Sequence, residues 1–201
     1  VELVGDGPGT TLQDFSASAA TTAHLLAQGE TLALTALGAD IVQGDTTVTF
    51  DSAPGLVEGD LFMVVNPTGG SFGGIFTAGE FFEVDSVVSN VVTLRGNGAF
   101  AGYAIADVSL TKITPARVGV RGLKIVFPEG QGSGNMGIKI HYAKDCVFES
   151  IDLTGCQHGN LCIDHAYDTS ILDARIVDSQ ANTGLNYGIV VHNSQHVIAQ
   201  G

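Results

Sequence analysis

Val118-Gly-Val-Arg-Gly-Leu-Lys-Ile125, Cys146-Val-Phe-Glu-Ser-Ile-Asp-Leu153 and Thr169-Ser-Ile-Leu-Asp-Ala-Arg-Ile176 can be laid over one another without an internal gap. They start at 118, 146 and 169, offsets of 28 and 23 residues, within the range of periods that marks a solenoid. The overlay stacks apolar or small residues at four positions: Val118, Cys146, Thr169; Val120, Phe148, Ile171; Leu123, Ile151, Ala174; and Ile125, Leu153, Ile176. Between the last two ladders it stacks Lys124, Asp152 and Arg175, alternating in sign. Parallel strands about 4.8 Å apart favour both features, like upon like inside and opposite charges outside.

A second strand type accompanies these segments: Gly137-Ile-Lys-Ile-His141, Asn160-Leu-Cys-Ile-Asp164 and Gly188-Ile-Val-Val-His192. Each reads as alternating inward and outward positions. Polar turns at 131–135, 155–159 and 180–186 separate the strands, and their unequal lengths are what a solenoid tolerates at its corners. The expected fold is all-β: a right-handed parallel β-helix with a small antiparallel β insertion.

Composition agrees. The 201 residues include 27 Gly and no Trp, with abundant Val, Ile and Thr, a texture of short strands and turns. The formal net charge of -13 comes from having only 8 Lys and Arg against 21 acids. Such a surface repels phosphate backbones and anionic lipid, so neither nucleic acid nor membrane is an expected partner. No run approaches the roughly 20 apolar residues of a spanning helix. The chain begins with Val and its repeat is still running at Gly201, so a fragment of something longer is expected. Cys146, Cys156 and Cys162 are too few for a disulfide scaffold and leave the redox compartment undetermined.

Before the repeats, the pattern is less regular. The opening Val1-Glu-Leu-Val-Gly-Asp-Gly-Pro-Gly-Thr-Thr-Leu12 is a strand and a glycine-rich turn, but Pro8 interrupts the glycines and no dinucleotide fingerprint results. No cofactor is expected. Residues 16–27, rich in Ala, Ser and Thr, fit a short helix or an irregular segment equally. Strand-like runs follow at 32–37, 46–50, 60–65, 80–87 and 91–94, punctuated by turns at 51–55, 66–70 and 97–98, as in a small antiparallel sheet or barrel.

Stacking the second strand type brings His141, Asp164 and His192 into one outward ladder, with Lys139 two positions away. A carboxylate between imidazoles suits proton transfer or sugar binding. Polar outward positions are also what a merely solvated face requires, so all three readings stand. Lys124, Asp152 and Arg175 read as a neutralised structural ladder. Cys156-x-His158-x3-Cys162-x2-His165 offers four zinc-ligand types, but strand alternation separates them, and Asp173 with Asp178 lacks the glycine-spaced loop of a calcium site. No metal site is expected.

Gly-Ile-Lys-Ile-His-Tyr-Ala-Lys-Asp-Cys-Val-Phe-Glu-Ser-Ile-Asp-Leu, residues 137–153, resembles one coil of the pectate-lyase-like β-helix superfamily. The opening twelve residues resemble the first coil of such proteins, among which are phage tailspikes and tail fibres that often carry a small β insertion. The resemblance implies a first coil or cap at 1–30, an insertion at 31–113 and β-helix coils at 114–201. It further implies a virion tail or extracellular location, a homotrimer, contact with other virion tail proteins, and engagement of host surface polysaccharide. Carbohydrate contacts would fall to Lys139, His141, Asp164 and His192. Catalysis as a lyase, hydrolase or epimerase, with Asp164, His141 and His192 as candidates, and a purely structural spacer remain the alternatives.

Overall fold

A computed structural model describes residues 1–10, 12–15, 23–66, 78–96, 98–128, 136–156, 159–177 and 187–201. Two compact units divide the chain: Val1–Gln28 with Ala116–Gly201, and Gly29–Pro115. The first is built on a nine-stranded, wholly parallel sheet that curls into coils.

Each coil passes through three faces. The first face stacks Ala23–Gln28, the start of Met136–Thr154, the start of Gly159–Val177, and Tyr187–His192. The second stacks Glu2–Val4, Gly119–Arg121, residues 147–149 and 170–172, and the end of Gln195–Gln200. The third stacks Leu12–Asp14, Lys124–Val126, and residues 152–154 and 175–177. This is the parallel β-helix, with the expected register: Val120 pairs with Phe148 and Phe148 with Ile171, while Lys124 pairs with Asp152 and Asp152 with Arg175.

The two 19-residue strands, Met136–Thr154 and Gly159–Val177, turn corners without leaving the ladder. A single residue with positive φ makes each turn. One corner carries Tyr142, His165 and Asn193 (φ 51, 50 and 43°), the next Asp145, Asp168 and His196 (55, 54 and 55°), and the third Gly122, Ser150 and Asp173 (62, 50 and 49°). Asn, Asp and His enter the left-handed region more readily than most residues, whereas bulky Tyr142 is an outlier there.

Inside, Phe148, Ile125, Leu153, Ile140 and Ile163 are fully buried in one core with Val120, Leu123, Ile138 and Leu161. Each such side chain contributes roughly 1.5–3 kcal/mol of burial free energy. Gly137 is required by close approach, because a Cβ there would lie 2.5 Å from both the Asn160 carbonyl oxygen and the Phe127 ring.

Residues 29–115 are inserted at one corner of a coil. Gln28 pairs in register with His141, and Ala116 bridges Ala143, so the insertion replaces the single corner residue that Tyr142 supplies one coil later. In this second unit six antiparallel strands lie in the order Glu30–Ala33, Ser109–Thr114, Leu61–Asn66, Ala78–Val88, Val91–Leu94, Thr47–Thr49. Phe50, Phe62 and Phe82 form its aromatic centre, with ring centroids 5.9 and 5.3 Å apart along the series. Glu80 is buried and accepts hydrogen bonds from the Phe100 amide (2.7 Å), the Ala101 amide (3.4 Å) and the Tyr103 hydroxyl (3.3 Å).

Two expectations are corrected. Residues 23–28 form neither helix nor irregular chain but a strand, because pairing with residues 136–141 overrides the weak local preference of an Ala- and Leu-containing stretch. Ser109–Thr114 is a central strand of the second unit, paired on both sides, where no strand was expected. The rest of the 16–27 reading and the turns at 67–70, 97, 131–135, 157–158 and 180–186 lie outside the described residues.

Candidate functional site

Outward residues of the first face form the expected ladder, since His141 pairs in register with Asp164 and Asp164 with His192. Gln28 extends it on the other side of His141. Asp164 is the hub. Its Oδ2 lies 3.1 Å from Lys139 Nζ and 3.7 Å from His141 Nε2, and its Oδ1 lies 2.7 Å from His165 Nδ1.

His165 follows Asp164 directly, and in a straight strand the two side chains would point to opposite faces. The positive φ of His165 turns the chain at this position and accompanies the 2.7 Å contact with its neighbour's carboxylate. Tyr142 does the same one coil earlier, its ring stacked on His141 with centroids 3.9 Å apart. The rings of His141 and His165 are 5.3 Å apart, and those of Tyr142 and His165 5.2 Å. Asn193, at the next position of this corner, places Nδ2 3.3 Å from His165 Nε2. His165 is therefore gripped at both nitrogens.

The side chains of Lys139, His141, Asp164 and His165 are 14 to 21% exposed, partly enclosed by one another. Burial pushes the Asp164 carboxyl up, but the His165 hydrogen bond and charge, the Lys139 hydrogen bond and the charge of His141 outweigh it and hold the group at about 2. Burial, with the charges of His165 and Lys139, pushes His141 down despite the opposing pull of Asp164. Burial and the Asp164 charge push the Tyr142 hydroxyl up. At neutral pH the cluster therefore presents a carboxylate, a neutral His141 imidazole, and hydroxyl and ammonium donors. It can accept and donate hydrogen bonds to polyols, and His141 can take up a proton. Asp164 is the one carboxylate in the His141–Asp164–His165 group, so the paired carboxylates of most glycosidases are not met within it.

Lys139, His141 and Asp164 come together. His192 shares the register, but it is not among the residues whose ligand atoms converge within 4.8 Å, which are His141, Asp164 and His165. Sequence reading missed Tyr142 and Asn193, and it grouped His165 with Cys156, His158 and Cys162 rather than with this ladder. Each directly follows a member of the His141, Asp164, His192 ladder, so continuing the overlay one residue past the strand ends would have stacked them.

The other candidates are placed as follows. Arg175 Nη1 lies 3.1 Å from Asp152 Oδ2, an ion pair within the Lys124, Asp152, Arg175 ladder. Cys156 is buried in the main core, whereas Cys162 is buried with Met136 and Val190 in a separate cluster, where burial pushes its thiol up to about 11. Neither shares a cluster with His165, and His158 lies outside the described residues. Asp173 accepts a hydrogen bond from the Ser150 hydroxyl at 3.1 Å, and Asp178 is outside the described residues.

Comparison with known proteins places this architecture. Residues 26–112 match the family model of the tailspike protein-like, Ig-like domain. The tailspike gp49 of Pseudomonas phage LKA1 superposes with a TM-score of 0.84 at 29% identity over 98% of this chain and 33% of its own. The tailspike gp61 of Pseudomonas phage phi297 gives the same TM-score and coverage at 23% identity. The gp54 tailspike of Acinetobacter baumannii bacteriophage AP22, solved in complex with capsular saccharide, shares the fold at a TM-score of 0.52 and 15% identity, over 86% of this chain and 39% of its own. No curated protein matches the chain significantly. The chain spans a third of the length of the two Pseudomonas phage tailspikes.

Proposed function

We propose, with the likeness to phage tailspikes as premise, that this chain is part of a tailspike carried on the virion tail and engages a host surface polysaccharide through the first face of its β-helix. The observation that carries the reading is the partly buried cluster around Asp164, set at the corner where bulky Tyr142 takes a positive φ. Strained backbone persists where surrounding structure over-determines it, often at ligand sites. Lys139, His141, Asp164 and His192 are the expected sugar contacts, joined by Tyr142, His165 and Asn193. Planar rings beside fixed donors and acceptors suit a pyranose, which has apolar C–H faces and hydroxyl edges.

A homotrimer joined to other virion tail proteins is the expected assembly, and sedimentation of the chain tests the first part. A monomer at all accessible concentrations would contradict it. One observation favours cleavage as a second reading: His141 is a neutral imidazole beside a carboxylate, able to take a proton from a sugar carbon or hydroxyl. Incubation with capsule or lipopolysaccharide, followed by assay of reducing ends and unsaturated uronates, separates the two readings. Turnover lost in both Asp164→Ala and His141→Ala establishes cleavage at this site. Binding without turnover leaves recognition, and neither sinks both.

A further inference from the structure

We infer that His141, Asp164 and His165 form a binding site for a divalent transition metal ion of the zinc class, in which the Lys139 ammonium competes for the Asp164 carboxylate. This goes beyond the polysaccharide reading and does not depend on it.

One ligand atom from each of the three residues lies within 4.8 Å of the others. Bonds of about 2.0–2.1 Å in tetrahedral geometry place ligand atoms about 3.3 Å apart. His141 Nε2 lies 3.7 Å from Asp164 Oδ2 and His165 Nδ1 lies 2.7 Å from Asp164 Oδ1, the two oxygens of one carboxylate, so an ion shared by both histidines is reached by turning that carboxylate, with side-chain movements on the order of an ångström. The ligands stand on two adjacent coils, whose ladder fixes their separation.

Neighbouring residues supply the outer support that metal-bound histidines need. Asn193 sits 3.3 Å from His165 Nε2 and, by turning its amide, presents an oxygen to the Nε2–H that exists once Nδ1 binds metal. Tyr142 holds the His141 ring by stacking at 3.9 Å. Two imidazoles and one carboxylate suit zinc, nickel or copper, and leave a coordination position for water or a ligand oxygen. Calcium and magnesium favour oxygen ligands and gain little here. Lys139 Nζ, 3.1 Å from Asp164 Oδ2, must be displaced, so the ammonium competes directly with the metal.

Calorimetric titration of the whole chain with zinc chloride tests this. The expected result is one zinc per chain, lost in His141→Ala and in His165→Ala, weakened about tenfold in Asn193→Ala, and tightened about tenfold in Lys139→Met through removal of a like charge. His196→Ala, at a different corner, leaves it unchanged, and calcium chloride gives no binding. Should a histidine variant misfold by far-ultraviolet circular dichroism, the d–d absorption of the cobalt-loaded wild type reports directly on a four-coordinate nitrogen and oxygen set. Absence of zinc uptake by the wild type would overturn the proposal, as would zinc binding indifferent to both histidines or weaker binding in Lys139→Met.

Discussion

Asp164 in the β-helix and Glu80 in the antiparallel unit are both enclosed carboxylates, and their surroundings drive them in opposite directions. Glu80 meets two backbone amides and a tyrosine hydroxyl, all neutral, and burial wins, pushing its carboxyl up despite their hydrogen bonds. Asp164 meets an ammonium and two imidazoles, whose combined effect overcomes burial and holds it at about 2. The contrast separates a structural staple from the proposed site. Neutral donors satisfy a buried acceptor and tie down the 99–103 segment, whereas charged, partly exposed neighbours keep the Asp164 carboxyl ionised.

Removing the staple should have the largest effect. Glu80→Ala leaves the Phe100 amide and the Tyr103 hydroxyl without this acceptor, at a cost of about 3 kcal/mol. Urea unfolding measures it, and an unchanged midpoint would break the comparison. Acid titration sharpens it further. The Asp164 carboxyl lies at about 2 in the fold against an ordinary 3.8, so its stabilisation is complete above pH 3.8 and is lost as pH falls through about 2. The difference corresponds to about 2 kcal/mol. Glu80 has the reverse sign: its folded carboxyl is raised, so its contribution is present below the ordinary glutamate range and is lost as pH rises through the folded value. Stability curves of Asp164→Asn and Glu80→Gln should therefore differ from wild type with opposite slopes. Curves shifted in the same direction would contradict the assignment.

Tyr142→Asn gives the smallest effect. Asn tolerates the positive φ that strains Tyr142, so the chain should gain about 0.5–1 kcal/mol in thermal unfolding while losing polysaccharide affinity. Loss of stability would show that the ring stack on His141 outweighs the corner strain.

Inter-coil register was legible from sequence because its signal is repeated: Val120, Phe148 and Ile171 must share the interior, and a slip of one residue would turn every apolar side chain outward. The His141, Asp164, His192 ladder followed from the same constraint. The strand at 23–28 was hidden because 87 inserted residues, 29–115, separate it from the coil that it resembles. Ser109–Thr114 was hidden because its partners in an antiparallel sheet are distant and unrelated in sequence. Tyr142 and Asn193 were missed, and His165 was grouped with the wrong partners, for a different reason. Two-residue alternation assigns consecutive side chains to opposite faces, and the positive φ at these corners breaks that rule where the cluster forms.

The most direct test of the Asp164 cluster as a recognition site is the affinity of the whole chain for purified host capsule or lipopolysaccharide oligosaccharides, compared between wild type and Asp164→Asn. Loss of the charge that holds Lys139 and His165 should weaken binding at least about tenfold, equivalent to about 1.4 kcal/mol, with the fold intact at neutral pH. Equal affinities in the two proteins would contradict the account.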